Sequence, residues 1–330
     1  MENYDYEKIF TSTGEKLFRH REVLKKFRDE KKATPIVLHV MPTSKCNLRC
    51  SFCSVKDRKV HETLSLDDVI LPTVDKLMSR GLKSVILSGG GEPTIYSDFE
   101  RMIDEFSERG LEIGLITNGT LLDKYNPAVF EKMAWLRISV NSLDYVNQIK
   151  IPKLKNPTVG FSYIITDKDT TNEGLRKIKD LARETKASYV RLLPDCAQPL
   201  DKLLTAYKKV NVLAKELGKP FFHQFKVHKS PNNCYLGYFH PVLYCDGNIY
   251  PCDSLVLNDF KNQQFHKEFK LCKYDEVEKL YDSKVHSLVN TKKMCPNCVF
   301  ERQNTILEDV LNDKYKPLPR VNKIKHENFI

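Results

Sequence analysis

Residues 36–53 read Ile36-Val37-Leu38-His39-Val40-Met41-Pro42-Thr43-Ser44-Lys45-Cys46-Asn47-Leu48-Arg49-Cys50-Ser51-Phe52-Cys53. The run 36–41 has the form of a short strand covered on both faces. Three cysteines in a C-x3-C-x2-C array follow it directly. Working outward, comparable runs at 84–88, 112–117, 136–140, 159–166 and 189–193 alternate with helical patterns near 66–79, 98–109, 127–133, 173–184 and 200–217. A short helix is expected at 144–150. Ser65 and Ser97 stand where N-caps are expected, and Gly81, Gly110 and Gly218 where helices stop. Strands alternating with helices make parallel pairs with crossover connections. Six such units predict an α/β protein built on a partial (β/α)6 barrel, whose chemistry belongs at the C-terminal ends of the strands.

After Gly218 the alternation stops. Residues 219–313 hold six of the ten cysteines, a hairpin signal at Asp246-Gly247-Asn248 and one helix-like stretch near 275–288. The reading therefore divides the chain into a lead-in helix (1–34), the barrel (35–218), a small cysteine-rich module (219–313) and a basic, loosely held tail (314–330). Of the 330 residues 41% are apolar and 29% charged, which excludes a disordered or collagenous chain. No apolar run reaches the length of a membrane span, and residues 1–7 lack a signal peptide's basic and apolar regions, so a cytoplasmic location is expected. In that compartment clustered thiols read as metal ligands or catalysts rather than disulfides. The net charge of +10 includes a basic run at 16–32, which reads more simply as a solvated helix face than as a nucleic-acid contact.

Cys46, Cys50 and Cys53 are spaced to fold round one face of an iron–sulfur cube, leaving the fourth iron open. The other reading is structural zinc, which normally takes four protein ligands; His61 is the nearest fourth candidate. Downstream of the second strand comes Ser88-Gly89-Gly90-Gly91-Glu92-Pro93. Its glycines let backbone approach a ligand, and Glu92 or the exposed carbonyls can accept from a ligand ammonium.

In these motifs the chain resembles the radical S-adenosylmethionine (SAM) enzymes, over about residues 35–195. That family's signature is C-x3-C-x2-C with an aromatic, here Phe52, before the last cysteine. The resemblance implies a [4Fe-4S] cluster held by Cys46, Cys50 and Cys53, with its free iron chelating SAM. Gly90, Gly91 and Glu92 match the family's GGEP motif and would contact the methionine end. Ser139 and Asn141, two apart on one strand face, match its ribose-contacting segment. Arg191 on the sixth strand is a candidate for the SAM carboxylate or a substrate anion, the plainer alternative being a surface ion pair.

Cys234, Cys245, Cys252, Cys272, Cys295 and Cys298 remain in the C-terminal module. The hairpin Cys245 to Cys252, with Gly247 five residues before Cys252, and the distant Cys295-Pro296-Asn297-Cys298 resemble the SPASM/Twitch extension of radical SAM enzymes. That resemblance implies one auxiliary [4Fe-4S] cluster on Cys234, Cys252, Cys295 and Cys298. Cys245 is the alternate ligand, and Cys272 an ordinary thiol. A zinc ribbon uses the same inventory of four cysteines. Cys196, after the sixth strand, would face the barrel mouth, where a thiol can donate a hydrogen atom.

The resemblance implies reductive SAM cleavage to a 5′-deoxyadenosyl radical that abstracts a substrate hydrogen. Net two-electron oxidation of a small molecule would follow, the auxiliary cluster accepting the electron. The order of modules is most similar to the amino-cyclitol dehydrogenases, and the reductant would be a flavodoxin or ferredoxin. The alternatives are a maturase acting on a ribosomal peptide, against which the first thirty-odd residues are too short for a winged-helix leader-binding domain, and a zinc-dependent nucleic-acid-binding protein.

Overall fold

The computed structural model describes residues 4–56, 62–166, 173–195, 198–224, 226, 229–257 and 268–330. Its centre is a single ten-stranded sheet in the order β10-β9-β8-β1-β2-β3-β4-β5-β6-β7. The six expected strands are present as β1 (Val37–Val40), β2 (Ser84–Leu87), β3 (Glu112–Thr117), β4 (Trp135–Ser139), β5 (Thr158–Ile165) and β6 (Val190–Pro194), all parallel to their neighbours. Every residue of β1 and β2 is buried. Strands covered on both faces have no polar side to display, which is why they read as largely apolar runs, with His39 and Ser84 the buried exceptions.

Helices cover the outer face. α4 (Phe99–Glu108) buries Phe99, Met102, Ile103 and Phe106, one stripe at helical spacing. Each such side chain contributes about 1.5–3 kcal/mol on leaving water. Ahead of α3 (Leu71–Ser79), the Ser65 hydroxyl accepts from the Asp68 N–H at 3.1 Å and caps a π-turn, Leu66–Ile70. Ser97 does not cap α4, which begins after Asp98 with no side-chain cap bond. Further on come α5 (Pro127–Glu131), α6 (Glu173–Glu184) and α7 (Leu200–Leu217). In place of the helix expected at 144–150 there is a 3₁₀ turn at Val140–Asp144.

The sheet runs past the six strands on both sides. β7 (Phe221–His223) adds a seventh parallel strand beyond the boundary read at Gly218. β8 (Val242–Leu243) pairs parallel with β1, and β9 (Asn248–Tyr250) and β10 (Cys272–Lys273) follow antiparallel. The cysteine-rich segment is thus hydrogen-bonded into the barrel's own sheet. The β8–β9 turn carries Gly247 at φ +76°, as the hairpin signal required. The helical stretch expected at 275–288 is limited to the turn Tyr274–Glu276 and the short helix Lys279–Asp282.

The lead-in is α1 (Tyr4–Phe10), a 3₁₀ segment Gly14–Arg19 and α2 (Arg21–Asp29), which buries Leu24 and Phe27. The basic run at 16–32 does include a solvated face, but Lys16 is buried, bonding the Ile9 and Phe329 carbonyls at 3.2 and 3.3 Å. The tail is held rather than loose. Arg21 donates to the Leu318 and Pro319 carbonyls at 2.6 and 2.8 Å, Ser84 donates to the Asn328 carbonyl at 2.8 Å, and Phe329 packs edge-on against Trp135. Its apolar residues Leu318, Phe329 and Ile330 are buried, a sufficient reason for the docking. Among the described residues no helix is long and apolar enough to cross a membrane.

Candidate functional site

The cysteine triplet lies in the loop leaving β1, where the backbone N–H of Cys53 donates to the Cys50 carbonyl at 3.1 Å. Cys46 is exposed, Cys50 and Cys53 half-buried, and none of the three is in a disulfide. Phe52 is half-buried beside them. Burial pushes the Cys50 thiol up to about 11, with Cys53 and Cys46 adding to the effect. A thiol whose neighbours disfavour its ionisation is a donor that a bound cation stabilises.

Two loops brace this one. Glu92 N–H donates to the Lys45 carbonyl at 2.8 Å, and a Cβ on Gly91 would stand 1.8 Å from the same oxygen. Only a residue without a side chain allows that approach. On the other side Asn118 Nδ2 donates to Asn47 Oδ1, and Asn47 Nδ2 to Thr120 Oγ1, both at 2.8 Å. The Tyr145 hydroxyl accepts from the Ser51 N–H at 2.8 Å. Lys45, Asn47, Asn118, Thr120 and Tyr145 escaped the sequence reading. Asn118, which follows β3 directly, carried the one usable signal, since strand ends are where such barrels place function.

Glu92 is buried, and its carboxylate accepts from Thr94 N–H and Oγ1 at 3.1 and 2.7 Å, Thr117 Oγ1 at 2.5 Å and Asn118 N–H at 2.7 Å. Burial raises its pKa, and these bonds oppose the rise. The carboxylate therefore ties the loops after β2 and β3 together. Ser139 ends β4, with its hydroxyl 3.4 Å from that of Ser162 on β5. Asn141 does not share a strand face with it. β4 has ended, and the Asn141 amide donates to the Ile164 carbonyl at 3.0 Å and accepts from its N–H at 2.7 Å. Arg191 is the second residue of β6, paired with Ser162 and Phe222, so it sits deep in the barrel and away from the strand end.

In the C-terminal module Cys234 is buried, and Cys252, Cys295 and Cys298 are half-buried. Burial pushes all four thiols up, Cys295 to about 11. They also act on one another: Cys295 and Cys298 raise Cys234, Cys234 and Cys298 raise Cys252, and Cys298 raises Cys295. The Cys272 thiol, pushed up to about 12 by burial and then by Glu276 and Asp275, shows no influence of the four. Among the described residues no three His, Cys, Asp or Glu side chains stand in metal-binding geometry, so the thiols are neighbours without being preset at a cluster's spacing. A set of three with an open side and a set of four are donor inventories that fit iron–sulfur clusters. Cys196 and His61 lie outside the described residues.

The inner face of the sheet, the N-terminal segment and the tail line a cavity of about 270 Å³. One wall is His39 of β1, whose Nε2 bonds Ser88 Oγ at the start of the glycine loop. Another is Asp253, next to Cys252, with its Oδ2 3.9 Å from His39 Nδ1. Burial pulls His39 down to about 4, so the imidazole is neutral at pH 7. Arg137 and Arg191 reach in from β4 and β6, and burial together with the Arg137 charge pulls Arg191 down to about 10.

The model of the Radical SAM superfamily matches residues 40–188. Over 134 residues the chain is 31% identical to an S-adenosylmethionine-dependent nucleotide dehydratase of Selenomonas ruminantium, covering 40% of this chain and 47% of that protein. Over 112 residues it is 32% identical to a probable GTP 3′,8-cyclase of Methanococcus maripaludis, covering 33% and 37%. The chain spans less than half the length of these curated relatives. In fold it is similar to Streptococcus suis SuiB, whose crystal structure contains the precursor peptide SuiA: the TM-score is 0.53 at 18% identity, over 83% of this chain and 71% of that one.

Proposed function

We propose, for a chain that belongs to the radical SAM superfamily through its residues 40–188, that it oxidises a small molecule by two electrons, using one cluster on Cys46, Cys50 and Cys53 and a second on Cys234, Cys252, Cys295 and Cys298. When bound, the first cluster supplies the electron that splits SAM into methionine and a hydrogen-abstracting 5′-deoxyadenosyl radical, and the second accepts an electron from the substrate. The protein's part is placement. Gly90 and Gly91 offer backbone to the methionine end of SAM. Ser139, at the end of β4, offers its hydroxyl to the ribose. Glu92 and Asn118 hold the loops in register.

The observation that carries this reading is the approach of distant cysteine segments in the C-terminal module: Leu288 N–H donates to the Cys234 carbonyl at 2.9 Å, and Thr291 Oγ1, just ahead of Cys295, donates to the Asn232 carbonyl at 2.9 Å. Four thiolates fill every iron of a cube, so substrate cannot ligate it and electron transfer is the role left. A flavodoxin or ferredoxin is the fitting reductant for the first cluster. The test is anaerobic incubation of the iron-reconstituted protein with SAM, dithionite and a metabolite pool, followed by mass spectrometry. Substrate-dependent 5′-deoxyadenosine with a product two hydrogens lighter is expected. A colourless protein holding stoichiometric zinc overturns the reading.

A further inference from the structure

We propose that the cavity inside the sheet binds an anionic group of the substrate, a carboxylate or a phosphate, and that Arg191 is its principal partner. This rests on the reading above for calling the ligand a substrate; the charge argument stands without it.

The lining carries the cations Lys16, Arg137, Arg191 and Lys226 against two carboxylates, Glu7 and Asp253. Arg302 also lines it, but its charge is met by Glu15 at 3.2 Å. A buried charge is costly unless something compensates it. Three of the four cations have compensation. Lys16 bonds two carbonyls. Arg137 donates to the Tyr189 hydroxyl at 3.0 Å and the Phe10 carbonyl at 2.6 Å. Lys226 lies 5.0 Å over the Phe300 ring.

Arg191 has none of these. Its Nε is shut off from solvent, and among the described residues it has no hydrogen-bond partner and none of its nitrogens forms an ion pair. Glu7 and Asp253 feel its charge without pairing with it. A guanidinium is a planar fork matched to two oxygens of one anion, and it stays charged even where burial pulls its pKa down. Position supports a substrate rather than a structural ion, because the lining includes His39, which bonds Ser88 ahead of the glycine loop, and beside it Asp253, which adjoins Cys252. Its volume suits a small acid or the charged end of a larger molecule.

The test is calorimetric titration of the reconstituted holoprotein with inorganic phosphate, with and without saturating SAM. One phosphate site is expected, unaffected by SAM. Arg191→Gln should weaken it at least tenfold, Arg191→Lys less, and Lys202→Gln, on the exposed face of α7, less than twofold. Equal phosphate affinity in a folded Arg191→Gln protein overturns the proposal. So does loss of the phosphate site on adding SAM, which would assign Arg191 to the SAM carboxylate. If circular dichroism shows Arg191→Gln unfolded, Arg191→Lys, which keeps the charge and loses the planar fork, takes its place: about threefold weaker phosphate binding is expected, and equal affinity overturns the proposal. Wild-type protein that binds phosphate but forms no 5′-deoxyadenosine overturns the radical reading and leaves the anion site; the converse overturns the anion site alone.

Discussion

The carboxylate of Glu92 accepts the backbone N–H of Asn118 at 2.7 Å, and this bond joins the loop leaving β2 to the loop leaving β3. Asn118 in turn donates to Asn47 inside the cysteine array. One buried acid thus sets the position of the cysteine loop at second hand.

Removing that acid strands buried donors. Glu92→Ala leaves Thr94, Thr117 and the Asn118 N–H without their acceptor, and each unmet buried group costs about 1–3 kcal/mol. A loss on the order of 3 kcal/mol in urea unfolding is expected, after relaxation. An unchanged unfolding midpoint would show that the Glu92 bracket does not hold the loops.

Gly91→Ala tests the close approach of the two loops. A methyl placed 1.8 Å from the Lys45 carbonyl forces the backbone apart next to Cys46. Displacement of about 1 Å in such a site costs on the order of a hundredfold in rate. The 5′-deoxyadenosine yield should fall by that factor, and the unfolding midpoint should fall with it, because the clash is with backbone. Full activity in Gly91→Ala would refute the contact.

The two cysteine sets are separable. With Cys295 and Cys298 both replaced by Ala, SAM should still be cleaved, but oxidised product should fall far more than 5′-deoxyadenosine does. With Cys46, Cys50 and Cys53 replaced by Ala, cleavage should vanish and about half the iron be lost, if each set holds one cube. Equal losses of product and 5′-deoxyadenosine in a folded Cys295/Cys298 variant would make the second site a structural staple.

Lys16 gives a pH dependence. Burial lowers its pKa from 10.5 to about 7, the Arg137 charge adding to the effect. Between those values the unfolded chain holds the proton more tightly, so this group's contribution to stability rises with pH from about 7 to 10.5, and its full penalty applies below 7. Lys16→Met removes the penalty. Its stability advantage over wild type should be largest at pH 6.5 and shrink by about 1.4 kcal/mol per pH unit above 7. Urea unfolding of both proteins at pH 6.5, 8 and 9.5 measures this, and a constant difference would show that Lys16 is not buried as a base.

What the sequence determined by itself was local and periodic. The apolar runs at 84–88 and 112–117 are the strands Ser84–Leu87 and Glu112–Thr117, and the stripe Phe99, Met102, Ile103, Phe106 is the inner face of α4, because strand and helix periods are written residue by residue. The C-x3-C-x2-C array and the glycine loop were legible for the same reason, since their ligand spacing is carried by neighbours in the chain. Only the tertiary structure decided the rest. β7 and β8 are three and two residues long, too short to carry a period, and exist through pairing with β6 and β1. The Glu92 bond to Asn118 spans the intervening helix α4, and the Asn141 bonds to Ile164 span the approach to β5. Arg191 could be seen as a cation from the sequence, but its depth in the barrel follows from where β6 begins, and its lack of a partner from what the other strands present. Those are properties of distance in space, which chain order does not encode.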